Sequence, residues 1–233
     1  MSVEGATGII LRARPLSETS LIVHWLTEEL GRVDVVAKGA RRPKSPFRGQ
    51  LDLFYLAQFS FQRSRRSELH LLREVKLLRS HPDLRRELSH LRQASYCANL
   101  IEQTTPLEAP AGHLFAQFAQ LLQELPCHAA AAPAVLAFEM KLLKEVGLMP
   151  KLAQETLTAG ARRILEELVE RDWRRVFQLR PSAGQLAEMG EFLRRFLVFH
   201  LDKVPGGRDA ALCPAGPLEC QLREGDRSIG QFC

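Results

Sequence analysis

The spacing of apolar residues changes near Ser80, and this change constrains the fold more than any other feature of the sequence. Before Ser80, apolar residues form short runs rich in β-branched, aromatic and leucine side chains. After it, they recur every three or four residues. The first pattern is typical of β-strands and the second of amphipathic helices. The sequence therefore predicts an α+β protein, with a β-domain in residues 1–80 and an all-α domain in residues 81–203.

Five strands are predicted in the first part, at residues 8–14, 19–27, 31–37, 53–62 and 68–76. Five short strands favour a small closed barrel, because an open sheet would leave its edge strands uncovered. We expect an OB-type barrel, with an SH3-like barrel as the alternative. The large aromatic side chains predicted to fill its core are Trp25, Tyr55, Phe59 and Phe61.

The helical pattern of the second part begins near Pro82, a residue that a first helical turn tolerates. Further helices are predicted at residues 112–125, 132–146, 161–169, 173–179 and 183–203. Gly147 and Pro150 are typical of the end of the helix at residues 132–146. No periodicity remains after Val204, so residues 204–233 are predicted to form a flexible tail.

The net charge of +5 is distributed unevenly along the chain. Residues 1–80 hold 14 Lys and Arg against 8 Asp and Glu, a net charge of +6, whereas residues 81–233 hold 18 against 19, a net charge of −1. All of the basic excess therefore belongs to the predicted barrel. This distribution indicates a polyanion-binding domain joined to a part with a different role.

Residues 38–48 concentrate this charge in a segment that contains five cations and no acid. The cations are Lys38, Arg41, Arg42, Lys44 and Arg48. Two prolines and a glycine favour a loop here, and a loop so charged gains most by contacting phosphate. A solvated run of charge is the alternative. Phe47, within the loop, is expected either to stack on a base or to anchor the loop in the barrel.

Further cations are predicted close to this loop. Arg12 and Arg14 end the first strand and Arg32 starts the third, while Arg63, Arg65 and Arg66 fill the last turn of the barrel. We expect Arg12, Arg14 and Arg32 to join the loop in binding DNA. Nothing in the sequence is typical of a base-reading helix, so the pattern favours contact with the sugar-phosphate backbone regardless of sequence.

Other function classes find little support. The adjacent pairs Glu28-Glu29 and Glu166-Glu167 have diverging side chains, the seven histidines are dispersed, and no Walker or G-x-G-x-x-G motif occurs. The five scattered cysteines include no C-x-x-C pair and favour reduced thiols over a zinc site or a disulfide framework. No run of apolar residues is long enough to span a membrane, and the first residues lack the shape of a signal peptide. We expect a cytoplasmic protein with no cofactor and no enzymatic activity.

Several segments resemble the RecO family of bacterial recombination mediators. They are Arg14-Pro-Leu-Ser-Glu-Thr-Ser-Leu21, Thr27-Glu-Glu-Leu-Gly-Arg-Val33, Val36-Ala-Lys-Gly-Ala-Arg41, Phe47-Arg-Gly-Gln-Leu51 and Phe138-Glu-Met-Lys-Leu-Leu-Lys-Glu-Val-Gly147. The resemblance implies an N-terminal OB domain, a C-terminal helical domain, binding of single- and double-stranded DNA, and annealing of complementary strands. It also implies partners: RecR, RecF in some lineages, and the acidic C-terminal tail of the single-stranded DNA-binding protein, on whose DNA the family helps to load RecA.

Two departures from the family pattern stand out. Relatives often carry four cysteines after the Phe138 helix, whereas residues 148–179 contain none, so we expect no zinc. The residue before that helix motif is often basic in relatives and is Ala137 here, so the acidic tail would need Lys141 or Lys144 instead.

Two other functions stay open from the sequence: an RNA-binding OB module, for instance a ribosome-associated factor, and a protein-binding adaptor whose basic loop docks an acidic partner.

Overall fold

A computed structural model describes residues 3–213 of the chain. It contains five strands and seven α-helices in that range. The strands are β1 (Val3–Pro15), β2 (Leu21–Thr27), β3 (Gly31–Ala37), β4 (Leu56–Gln62) and β5 (Leu69–Arg79). The helices are α1 (Leu88–Thr104), α2 (Gly112–Glu124), α3 (Ala132–Glu145), α4 (Ala159–Glu170), α5 (Trp173–Gln178), α6 (Ala183–Leu201) and α7 (Arg208–Leu212). Short 3-10 turns occur at Pro82–Arg85, Leu125–Cys127 and Leu152–Gln154.

The five strands form a closed barrel in the order β1-β2-β3-β5-β4. Neighbouring strands are antiparallel except β3 and β5, which pair in parallel through only three residue pairs, from Asp34 with Leu69 to Val36 with Leu71. The closed barrel followed by helices confirms the predicted fold class and is consistent with the OB-type barrel.

Aromatic and β-branched side chains fill the barrel. Trp25 and Phe59 stack with ring centroids 4.2 Å apart, and Phe61 lies 5.7 Å from Phe59. Trp25, Phe59 and Phe61 are buried, as predicted, and Tyr55 packs against them while half-buried. Because the barrel is small, these few rings supply much of the apolar area that stabilises it.

β1 is longer than predicted, because its first residues have low strand propensity. Gly5 and Ala6 pair with Ser60 and Phe59 of β4, so pairing with a neighbouring strand orders this stretch.

The described residues divide into two compact units. One comprises residues 3–82 and 101–123, and the other residues 83–100 and 124–213. In the second unit α3 is buried along most of its length and packs against α4, α5, α6 and α7, which explains why its apolar residues are not confined to one stripe. The predicted boundary after residue 80 stays a prediction.

The tail predicted from residue 204 is wrong for α7. Arg208 of α7 is 4% exposed, and its guanidinium bonds to the carboxylate of Glu139 in α3 at 2.7 and 2.9 Å. This buried pair fixes a helix that is too short to show a periodic pattern. Residues 214–233 of the predicted tail lie outside the described residues.

Candidate nucleic-acid interface

The basic loop joins β3 to β4 and is built from consecutive turns. The amide nitrogens of Arg42, Ser45 and Arg48 each donate to the carbonyl oxygen three residues earlier, at 3.0, 3.0 and 3.3 Å. Phe47 is 7% exposed and belongs to the apolar core of the barrel. Phe47 therefore anchors the loop and does not offer its ring for stacking. The turns and this anchor give the loop a fixed shape.

All five loop cations are exposed: Lys38, Arg41, Arg42, Lys44 and Arg48. Arg41 donates from Nη1 to the carbonyl oxygen of Ser17 at 3.0 Å. Within residues 3–213, the side chains of Arg42, Lys44 and Arg48 form no ion pair and no hydrogen bond. A cavity of about 330 Å³ beside the loop is lined by three of its arginines together with Leu21, Phe47 and Leu51. The structure thus places the loop cations together at the surface, where a polyanion can reach them.

The other predicted DNA-binding arginines are differently placed. Register pairs Arg12 with His24 and His24 with Asp34, so these residues form a row across β1, β2 and β3. His24 Nδ1 lies 2.9 Å from Asp34 Oδ1, and Arg14 donates from Nε to His24 Nε2 at 3.3 Å. Arg12 pairs with Glu102 at 2.6 Å. Acids therefore offset part of the positive charge along this row.

Arg32 is held by the fold. Its Nη1 donates to the carbonyl oxygens of Glu102 and of Thr105, the latter at 2.8 Å, and its own carbonyl oxygen accepts from the amide of Glu108 at 2.8 Å. The segment around residues 102–109 is thereby fastened to β3. Arg32 stabilises this arrangement, and its guanidinium does not extend into solvent beside the loop.

The turn between β4 and β5 brings further cations to Lys38. Arg63, Arg65 and Arg66 line a cavity of about 720 Å³ together with Lys38. Arg65 and Arg66 are exposed, whereas Arg63 bonds to Glu4 at 2.8 and 2.9 Å and to Glu108 at 2.5 Å. The cations of this turn are visible in the sequence, but their proximity to Lys38 depends on the β3–β5 pairing.

Lys141 and Lys144 lie in α3. Lys141 donates from Nζ to the carbonyl oxygens of Val169 and Arg171, both at 2.8 Å, and burial lowers the pKa of its ammonium. It therefore caps the C-terminal end of α4. Lys144 is more exposed and pairs with Glu170 at 2.7 Å. The structure shows both ammonium groups engaged with the end of α4.

Two buried histidines lie within bonding distance of backbone carbonyl oxygens. His81 Nδ1 lies 2.9 Å from the carbonyl oxygen of Phe54, and His90 Nε2 lies 3.0 Å from that of His128. Between residues 3 and 213, no group of three or more His, Cys, Asp or Glu side chains could hold a metal ion. None of the helices described is both long and apolar enough to cross a membrane.

Comparison with known proteins adds independent information. A protein-family model described as "Recombination protein O N terminal" matches residues 1–81. A second family model, described as "Recombination protein O C terminal", matches residues 85–159. The chain is 35% identical to the DNA repair protein RecO of Rhodopirellula baltica over 142 residues, which is 61% of this chain and 53% of that protein. It is 37% identical to the RecO of Idiomarina loihiensis over 139 residues, 60% of this chain and 58% of the relative.

The Bacillus subtilis protein of the same name is 32% identical over 147 residues, 62% of this chain and 56% of the relative. The chain thus spans little more than half the length of these curated relatives.

Proposed function

Because the chain belongs to the RecO family, we propose that it is a non-enzymatic DNA-binding protein of bacterial repair and recombination. The observation that carries this proposal is the basic loop at residues 38–48, whose cations are exposed and whose backbone is fixed by turns and by Phe47. A preorganised row of cations binds a phosphate backbone with little cost in ordering side chains and loop. The proposal places the protein in the cytoplasm, at the nucleoid.

We assign the loop cations and the exposed Arg14 of β1 to DNA contact. Arg12 is a secondary member, since its charge is shared with Glu102. Arg32 is left out of the contact surface because its guanidinium bonds to carbonyl oxygens of the fold.

Annealing is the activity that such a surface can support without bond chemistry. Two DNA strands repel one another through their phosphates. A surface that neutralises both backbones lowers this repulsion, and contacts limited to phosphates leave the base edges free to pair. We propose that the chain anneals complementary strands in this way.

The same proposal includes the partners that family membership implies. We propose that the chain acts with a RecR-like protein, and in some settings a RecF-like protein, to load RecA onto DNA coated by single-stranded DNA-binding protein. The acidic tail of that coating protein would meet Lys144, whose exposed ammonium can exchange Glu170 for a carboxylate of the tail, with Lys141 close by.

The first test measures annealing of two complementary oligonucleotides in the presence of a chelator. We expect annealing of DNA without metal, because only protein cations are needed. Preference for RNA strands would favour an RNA-binding module, and absence of annealing with either nucleic acid would favour an adaptor.

The second test is the variant Arg42→Glu with Arg48→Glu, two cations without internal partners among the described residues. We expect a loss of DNA affinity of at least tenfold at low salt, since each reversed charge removes one phosphate contact and repels the next. The far-UV circular dichroism spectrum should be unchanged, because both side chains are exposed. Unaltered affinity would remove the loop from the proposed interface.

A further inference from the structure

A second cleft opens where β3 meets β5. These strands pair through only three residues each, and a cavity of about 720 Å³ lies at the end of this short ladder. Three of its lining side chains are apolar and only half-buried: Val36, Leu69 and Leu71. The cleft therefore combines accessible apolar surface with the cations around it.

The charge available in the cleft comes from Lys38, Arg65 and Arg66, which are all exposed. Arg63 contributes less, because Glu4 and Glu108 bind its guanidinium. These acids hold Arg63 in place and so fix the start of the β4–β5 turn. Three cations are left without an acidic partner among the described residues, so the cleft has a net positive charge.

Buried His70 holds the turn that carries Arg65 and Arg66. The His70 ring is 3% exposed and lies parallel to Phe61, with centroids 5.2 Å apart. Its Nδ1 accepts a hydrogen bond from the amide of Ser64 at 3.2 Å. The cleft is thus largely formed before any ligand arrives, which reduces the entropy lost on binding.

Lys38 connects this cleft to the basic loop, because it lines the cleft and is also the first cation of the loop. A polyanion lying on the loop can therefore also contact the cleft through Lys38. This continuity of charge favours a nucleic acid over an acidic peptide, which would need only one of the two basic surfaces.

We propose that the cleft binds one nucleotide unit of a single strand that continues from the basic loop. Its phosphates contact Lys38, Arg65 and Arg66, and its sugar or unpaired base lies against Val36, Leu69 and Leu71. In a duplex the bases are stacked on each other inside the helix, so only phosphates would reach the cleft. The cleft therefore selects single strands, whereas the loop binds both forms. This inference rests on the proposed function of the loop.

The test compares three double variants by fluorescence anisotropy, each with a labelled single strand and with a duplex of the same sequence. Arg65→Glu with Arg66→Glu removes the cleft cations, and Arg42→Glu with Arg48→Glu removes loop cations. Lys76→Glu with Arg79→Glu is the matched control, since it changes the net charge equally on exposed positions of β5. Thermal melting verifies that each variant is folded.

For the cleft variant we expect roughly tenfold weaker binding of the single strand, with a salt slope reduced by about 1.4 for two lost phosphates. The loss for the duplex should be smaller, because only its phosphates reach the cleft. Val36→Thr, which keeps the side-chain shape, should weaken single-strand binding to a smaller extent. Equal losses for both nucleic acids, or a loss no larger than that of the control, would overturn the inference.

Two further outcomes distinguish a failure of the proposal for the loop from a failure of the proposal for the cleft. If the loop variant retains full affinity while the cleft variant loses it, the proposed function of the loop fails and the cleft stands. If the cleft variant binds single strands normally but no longer binds a labelled hexaglutamate peptide, the cleft is a protein-binding site and the inference is overturned.

Discussion

Gly31, at the β2–β3 turn, occupies a position where no side chain fits. Its φ is +68°, and a Cβ added there would lie 1.7 Å from the carbonyl oxygen of Ala109. Gly31 therefore lets the 102–109 segment approach the barrel, where Arg32 and Glu108 bond it to β3. A single hydrogen atom in place of a side chain makes this packing possible.

Gly31→Ala is predicted to lower the free energy of unfolding by about 2–4 kcal/mol, because it adds both backbone strain and a steric clash. Gly49→Ala is the control. Gly49 has φ of +71° but no atom within 4 Å of the added Cβ, so only the backbone strain of about 1 kcal/mol applies. Urea denaturation of both variants measures the difference. Equal losses would show that contact with Ala109 does not constrain the residue.

The loop cations could be recognised from sequence, because their density in eleven residues is a local property. The bonds that Arg12 and Arg32 form with distant parts of the chain could not be recognised from sequence. Their partners are Glu102 and Thr105, about 70 or more residues further along the chain. Only the folding of the 102–109 segment onto the barrel brings these groups together. The sequence therefore locates the cations but cannot separate those that the fold uses from those left exposed.

The predicted bounds of strands β2 to β5 and helices α2 to α6 agree with the structure within three residues. In contrast, β1 begins at Val3 and not at residue 8, and α1 begins at Leu88, after a 3-10 turn at Pro82–Arg85. The N-terminal end of β1 is ordered by pairing with β4, and α7 is ordered by the buried bonds of Arg208. In both cases tertiary contacts override a weak local signal.

The α7 contact makes a direct prediction for stability. Arg208→Ala leaves Glu139, which is fully buried, without its cation, and Tyr96 alone would donate to it, at 2.5 Å. We expect the free energy of unfolding to fall by about 3–5 kcal/mol. Arg194→Ala, which removes an exposed pair with Glu191, should leave stability unchanged within error. Similar urea midpoints for the two variants would contradict this assignment.

The ion pair between Glu4 in β1 and Arg63 after β4 predicts that the stability of the protein depends on pH. The hydrogen bonds from Arg63 lower the pKa of the Glu4 carboxyl below its usual value. Burial raises the pKa of Glu108, but bonds from His70 and Arg63 outweigh it, so that pKa is also lowered. Because the folded-state pKa values lie below the unfolded ones, these pairs stabilise the protein at neutral pH. Their contribution is lost as the pH falls below about 4.5.

Arg63→Gln should therefore show a smaller decrease in urea midpoint between pH 7 and pH 3.5 than the unaltered protein. The difference should be modest, because the groups are about one third exposed and water screens them. An identical decrease in both proteins would indicate that Arg63 does not hold these carboxylates.

For the whole molecule, charge and packing divide between the two parts of the chain. The barrel carries the basic excess and exposes it on a loop and a neighbouring turn, whereas residues 81–233 are close to neutral in net charge. Helices α4, α5, α6 and α7 pack against α3. Membership of the RecO family agrees with this division. The basic barrel gives the proposed DNA contact, and the helices are left for the proposed protein partners.

Electrostatic contact between the basic loop and DNA is tested by measuring the affinity for single-stranded DNA across a range of salt concentrations. The five loop cations alone predict that the logarithm of the association constant falls linearly with the logarithm of salt concentration with a slope of about −3.5, and contacts by Arg14 and the cleft cations make the slope steeper. The variant Arg42→Glu with Arg48→Glu should make this slope shallower by about 1.4. A slope near zero, or one that the variant leaves unchanged, would contradict electrostatic contact between this loop and DNA.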